Sequence, residues 1–105
     1  MSEDEAVKDW KHPDSRMPTD QERQELCQML SFTLMEIRLL AWEGKAEQAA
    51  DLADAFHNLP GNLWNDEFSF GFFRKFLEAY QEKYNGKTKC DYVKKLDKII
   101  GQQPD

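Results

Sequence analysis

The sequence predicts an all-α fold, a compact four-helix domain with an N-terminal polar arm. Long stretches without Gly or Pro carry apolar residues three and four positions apart, which is the spacing of one helix face. Segments rich in helix breakers separate these stretches, and no run of Val, Ile and Thr suggests a sheet. Because 105 residues is a common length for one domain, we expect a single helical domain over 19–100.

The arm is predicted over 1–18, and a C-terminal tail over 101–105. The arm is acidic at its start and contains Pro13 and Pro18, and Trp10 is one of its few large apolar residues. Such a segment cannot bury enough apolar surface to order itself. Two alternatives remain open: a loose tail, or an arm that Trp10 anchors against the helices.

The first helix is predicted over 20–43. Thr19 and Glu22 have the spacing of a capping box, and Pro18 prevents a helix from continuing across this point. Gly44 is expected to end the helix in a left-handed conformation. One side of this helix is predicted to face the core, and its residues are Leu26, Leu30, Thr33, Ile37, Leu40 and Ala41.

A second apolar stripe follows a different side of the same helix. Phe32, Met35, Leu39 and Trp42 are spaced three, four and three residues apart, as in a helix–helix seam. Either the aromatic third helix covers this stripe, or the stripe stays open and another chain covers it. The second alternative is favoured, because the third helix has a wide apolar face of its own to bury.

The second helix is predicted over 46–57 and should fold back on the first around Gly44. Its predicted contact face is alanine-rich and consists of Ala46, Ala49, Ala50, Ala53 and Phe56. Breakers around Pro60 predict a loop over 58–62.

The third and fourth helices are predicted over 66–84 and 91–100. The start of the third is ambiguous, because residues 67–72 alternate with a period of two, which is typical of a strand. Without a partner strand, a helix or an irregular lead-in is favoured. Asp91 is expected to cap the last helix. The aromatic residues of the third segment are Phe68, Phe70, Phe72, Phe73, Phe76, Tyr80 and Tyr84.

The charge of the chain excludes several functions. Twenty acidic and 14 basic residues give a net charge of −6, whereas nucleic-acid and anionic-membrane binders carry basic faces. No signal peptide and no apolar run of about 18 residues are found, so we expect a cytoplasmic protein.

Two cysteines and one histidine are the candidate chemical sites. Cys27 is expected to be buried in the first helix, and Cys90 lies near lysines that lower a thiol pKa. Free thiols are favoured over a disulfide. Asp54 and His57 are one helical turn apart, but no second such pair exists, and a helix cap is favoured for His57. The sequence therefore predicts no metal, no cofactor and no enzymatic activity.

The leading hypothesis is a small acidic protein-interaction domain, for example an immunity- or antitoxin-type inhibitor of a protein partner. One alternative is a homo-oligomeric structural or regulatory domain, and another is a small-ligand-binding bundle around His57 and Trp64. His57 is predicted as a polar contact. The predicted partner-binding residues are Phe32, Met35, Leu39, Trp42, Trp64, Phe68 and Phe70.

Overall fold

A computed structural model describes residues 17–85 and 87–100, and all regular secondary structure within them is helical. The predicted all-α fold is confirmed. The predicted position of Trp10, like the C-terminal tail, lies outside the described residues. The helices are α1 (Asp20–Trp42), α2 (Ala46–Phe56), α3 (Leu59–Trp64), α4 (Phe70–Lys83) and α5 (Tyr92–Ile100).

The ends of α1 are fixed by local hydrogen bonds, as predicted. The Glu22 backbone N–H donates to Thr19 Oγ1 (3.1 Å), and the Thr19 N–H donates to Glu22 Oε1 (2.8 Å), which completes the capping box. At the other end, Gly44 has a φ of +78°, and the Lys45 N–H donates to the Leu40 carbonyl (2.9 Å). This reversal directs the chain into α2.

The four longer helices form a closed ring of neighbours around one core. α1 packs against α2 and α5, while α4 packs against α2 and α5 on the other side. Aromatic rings fill the centre: the Phe56 ring meets Phe73 edge-on at 5.2 Å and Tyr92 at 5.6 Å between centroids. Each of the four longer helices therefore packs one face against this core.

The segment over 58–62 was predicted as a loop, and this prediction is wrong. Residues from Leu59 onward form α3, with Pro60 in its first turn, where a missing N–H is tolerated. Leu59 and Leu63 are both buried. The burial of their side chains stabilises this helix despite the low helix propensity of Pro60 and Gly61.

Arg23 ties α1 to the end of α3. Its guanidinium donates to the Leu63 carbonyl (2.7 Å) and pairs with the Asp66 carboxylate (2.6 Å). The contact gives the Leu63 carbonyl, at the end of a short helix, a second donor besides the Asp66 backbone N–H (3.4 Å).

The ambiguous start of the third segment is an irregular lead-in. Residues 67–69 are non-helical, and Ser69 caps α4 by accepting the Phe72 backbone N–H (3.1 Å). Phe68 and Phe70 are both buried, with centroids 4.9 Å apart. Their period-two spacing thus reflects two core residues beside a cap and not a strand.

The α1–α2 hairpin is present, but the predicted contact face of α2 is rotated. Ala46 and Ala50 are exposed, whereas Ala49, Leu52 and Ala55 are buried. Leu52 is 0% exposed, and burying this larger side chain turns the helix away from the all-alanine face.

Ala49→Leu is expected to destabilise the domain by about 1–3 kcal/mol, because Ala49 is only 7% exposed and the larger side chain must displace its neighbours. Ala50→Leu, one position along and exposed, is the matched control and should change the free energy of unfolding by less than about 0.5 kcal/mol. Urea denaturation measures both. Equal effects of the two substitutions would show that Ala49 is not packed as described.

Candidate protein-interaction surface

Helix α1 carries apolar side chains on two sides, only one of which faces the core. Leu26, Thr33 and Leu40 are buried as predicted, Leu30 and Ile37 are half-buried, and Ala41 is exposed. At about 100° per residue, the second stripe lies about 140° around the helix axis from this face. It consists of Phe32, Met35, Leu39 and Trp42, here called the apolar stripe.

The apolar stripe is exposed along its whole length. Phe32 is 55% exposed, Met35 58%, Leu39 43% and Trp42 70%. Helix α4 does not cover it, because α4 packs against α2 and α5. Of the two alternatives left open by the sequence, the described residues therefore show the open stripe.

A groove adjoins one end of the stripe. It lies between α1 and α5, encloses about 270 Å³, and has Phe32 and Met29 on one wall and Ile99 on the other. Lys95 and Lys98 also line it. The apolar surface of α1 thus continues toward α5, where Lys95 and Lys98 form a basic margin.

The other end of the stripe is shaped by Arg38. Its guanidinium carbon lies 4.3 Å from the centroid of the Trp42 ring, a cation–π arrangement. A depression of about 200 Å³ is lined by these two residues with Met35 and Leu39. Arg38 restrains the Trp42 ring while leaving most of it in contact with solvent.

Glu43 supplies the negative charge beside Trp42. Its carboxylate lies 3.2 Å from the Lys89 amine and 3.4 Å from the Lys45 amine. The hydrogen bond from Lys89, followed by that from Lys45, lowers the pKa of Glu43 below its usual value. Glu43 is therefore an exposed, ionised carboxylate at neutral pH, across the stripe from Arg38.

Two predicted partner-binding residues are corrected. Phe68 is 5% exposed and Phe70 is 0% exposed, since both fill the core where α4 begins. Trp64 is 87% exposed at the end of α3, so it is accessible but lies on another element. The sequence did not single out Phe72 as an exposed aromatic, although it is 54% exposed.

His57 is the C-cap residue of α2, in agreement with the favoured prediction. Its Nδ1 lies 2.7 Å from the Asp54 carbonyl oxygen and 3.6 Å from the Asp54 carboxylate, so its contacts are local. The groove beside Phe32 and the depression beside Trp42 include neither His57 nor Trp64. The described ranges 17–85 and 87–100 contain no group of three or more side chains suited to a metal ion.

The cysteine expectations are corrected in part. Cys27 is exposed, because it lies between the two apolar sides of α1. Burial raises the pKa of the half-buried Cys90 thiol, contrary to the lowering expected from nearby lysines. Lys89 pairs with Glu43 instead.

A buried polar cluster of Glu36, Cys90 and Tyr92 links α1 and α5. It was not predicted from the sequence. Glu36 is only 8% exposed and accepts a hydrogen bond from the Tyr92 hydroxyl, while its Oε2 has no partner among the described residues. Cys90 Sγ lies 4.0 Å from Glu36 Oε1. The available signal was that Glu36 lies three residues after Thr33 and four before Leu40, on the inward face.

Searches for relatives returned nothing: no family model, curated protein or solved structure matches the chain. Within the described residues, no helix combines the length and apolar character required to cross a bilayer.

Proposed function

We propose that this chain is a protein-binding domain that docks a helix of another polypeptide on the apolar stripe of α1. The observation that carries this proposal is four large apolar side chains, 43–70% exposed, on one side of a helix whose other side fills the core. Their spacing of three, four and three residues fits the seam between two packed helices.

The size of the stripe supports an interface. Whole aromatic side chains bury about 150–250 Å² each, so the exposed parts of Phe32 and Trp42 alone offer about 200–300 Å². Met35 and Leu39 bring the total to about 300–600 Å², the size of the largest apolar patch on a typical monomer, which is often functional. Solvent exposure of this area is unfavourable unless a partner covers it.

An immunity- or antitoxin-type inhibitor is one concrete form of this function. The net charge of −6 would accelerate encounter with a basic enzyme. The stripe itself is bordered by Arg38, Lys95 and Lys98 and, beside Trp42, by Glu43, so its direct contacts would be apolar with charges of both signs at the margin. We also propose a cytoplasmic location, which the free thiols of Cys27 and Cys90 support.

Photo-crosslinking in the native host tests the proposal. The crosslinking amino acid p-benzoylphenylalanine is placed at Met35 on the stripe or, as the control, at Leu34. These neighbours are 58% and 57% exposed, but Leu34 points about 100° away. We expect a discrete protein adduct from position 35 that is absent from position 34, because only the stripe is covered.

Mass spectrometry then identifies the adduct. No adduct at position 35, or equal adducts at both positions, would refute the proposed function, since random collision does not distinguish equally exposed neighbours.

A further inference from the structure

We propose that the polypeptide covering the apolar stripe is a second copy of this chain, with the two α1 helices packed in parallel about a two-fold axis. This inference rests on the proposed function and names its partner. It follows from the position of the stripe and of the charges beside it.

The stripe has the a and d positions of a short heptad repeat. Phe32 and Leu39 take the a positions, and Met35 and Trp42 take the d positions. In a parallel pair each of these side chains meets its own counterpart, so the stripe is complementary to itself. Glu25 occupies the preceding a position, where two carboxylates would face each other, and this limits the seam to the region from Phe32 to Trp42.

The flanking charges select the parallel orientation. Arg38 is a g position, and Glu43, five residues later, is the following e position. Parallel coiled coils bring these positions together, so Arg38 of each copy would meet Glu43 of the other twice around the axis. There Arg38 would join Lys89 and Lys45 of the other copy, which already pair with that carboxylate. Arg38 and Glu43 are both exposed. An antiparallel pair would instead bring the two Arg38 side chains together.

The basic margin of the groove is compatible with the same arrangement. Lys95 and Lys98 lie on the e side of α1, near the level of Phe32. In the parallel pair this side meets the g side of the other copy, where the nearest residues are Gln24 and Ser31. These residues are uncharged and exposed, so the lysines meet no like charge.

The extent of the seam sets the strength of association. About 300–600 Å² on each copy is less than the about 800 Å² per partner of standard stable interfaces. The dimer is therefore expected to form reversibly with concentration, and the net charge of −6 on each copy opposes it at low salt.

Sedimentation velocity of the full chain tests the inference over protein concentrations from about 1 µM to about 1 mM. Wild-type chain should shift from monomer to dimer. Arg38→Glu and Glu43→Arg should each raise the dissociation constant by about tenfold or more, because each places like charges together. The combination R38E/E43R should bind more tightly than either single variant, since it restores opposite charges across the seam, but less tightly than wild type, because Lys45 and Lys89 then lie beside a cation in place of Glu43.

Circular dichroism checks that each variant is folded, which we expect because Arg38 and Glu43 are both exposed. A wild-type chain that stays monomeric throughout would overturn the inference, and so would a double variant no better than the single ones. The crosslinking experiment separates this failure from failure of the proposed function. An adduct of two copies of the chain supports both proposals, whereas an adduct with a different protein retains the function and refutes self-association.

Discussion

Leu40→Glu should unfold the domain. Leu40 is 0% exposed on the core side of α1, and the core around it is apolar. A carboxylate placed there lacks a partner, and an uncompensated buried charge destabilises by about 3–5 kcal/mol or more. Because small domains have about 5–15 kcal/mol of stability in total, we expect a large loss of helical circular dichroism or a much lower urea midpoint.

A Leu40→Glu variant with nearly wild-type stability would contradict the description of the core. It would mean that α1 is rotated so that the inward face and the apolar stripe exchange roles. Leu40→Glu therefore tests which side of α1 faces the core, independently of any binding measurement.

Tyr92→Phe is expected to destabilise the domain by about 1–3 kcal/mol, although it removes a single oxygen atom. The Tyr92 hydroxyl donates to the Glu36 carboxylate, whose Oε2 already lacks a partner among the described residues. Losing this donor leaves a buried carboxylate poorly satisfied. Urea denaturation at neutral pH measures the change in the free energy of unfolding.

Tyr84→Phe is the matched control, since the Tyr84 hydroxyl donates at 2.5 Å to Asp51, a partly exposed carboxylate that also pairs with Lys83. It should change stability by less than about 1 kcal/mol. Combining Tyr92→Phe with Glu36→Met should recover most of the lost stability, because the buried charge is then removed together with its donor. If the double variant is less stable than Tyr92→Phe alone, the carboxylate is not the source of the penalty.

Local signals in the sequence correctly predicted three helix ends, although the third predicted helix begins at Phe70 and not at 66. The capping box at Thr19, the left-handed Gly44 and the Asp91 cap, whose Oδ1 accepts the Lys94 N–H at 2.9 Å, all depend on residues within one turn. Helix α3 was not predicted because Pro60 lowers the local helix propensity more than its neighbours raise it. Its stability comes from the burial of Leu59 and from other elements of the fold.

The candidate site was predicted only in part, for a related reason. Periodicity identifies which residues of α1 share a side, and the stripe from Phe32 to Trp42 was found in this way. Periodicity does not state which other helix lies against that side, so its exposure could not be decided. The same uncertainty in phase put Cys27 in the core and Ala50 in the hairpin contact, and both are exposed.

The central claim is that the apolar stripe is surface rather than core, and Leu39→Glu tests it most directly. Leu39 adjoins Leu40 in sequence but is 43% exposed in the middle of the stripe. In urea denaturation at a protein concentration too low for association, the free energy of unfolding should fall by only about 1–1.5 kcal/mol, which is the contribution of the buried part of the Leu39 side chain. A loss of about 3 kcal/mol or more, approaching that of Leu40→Glu, would show that the stripe is buried and would contradict the proposed binding surface.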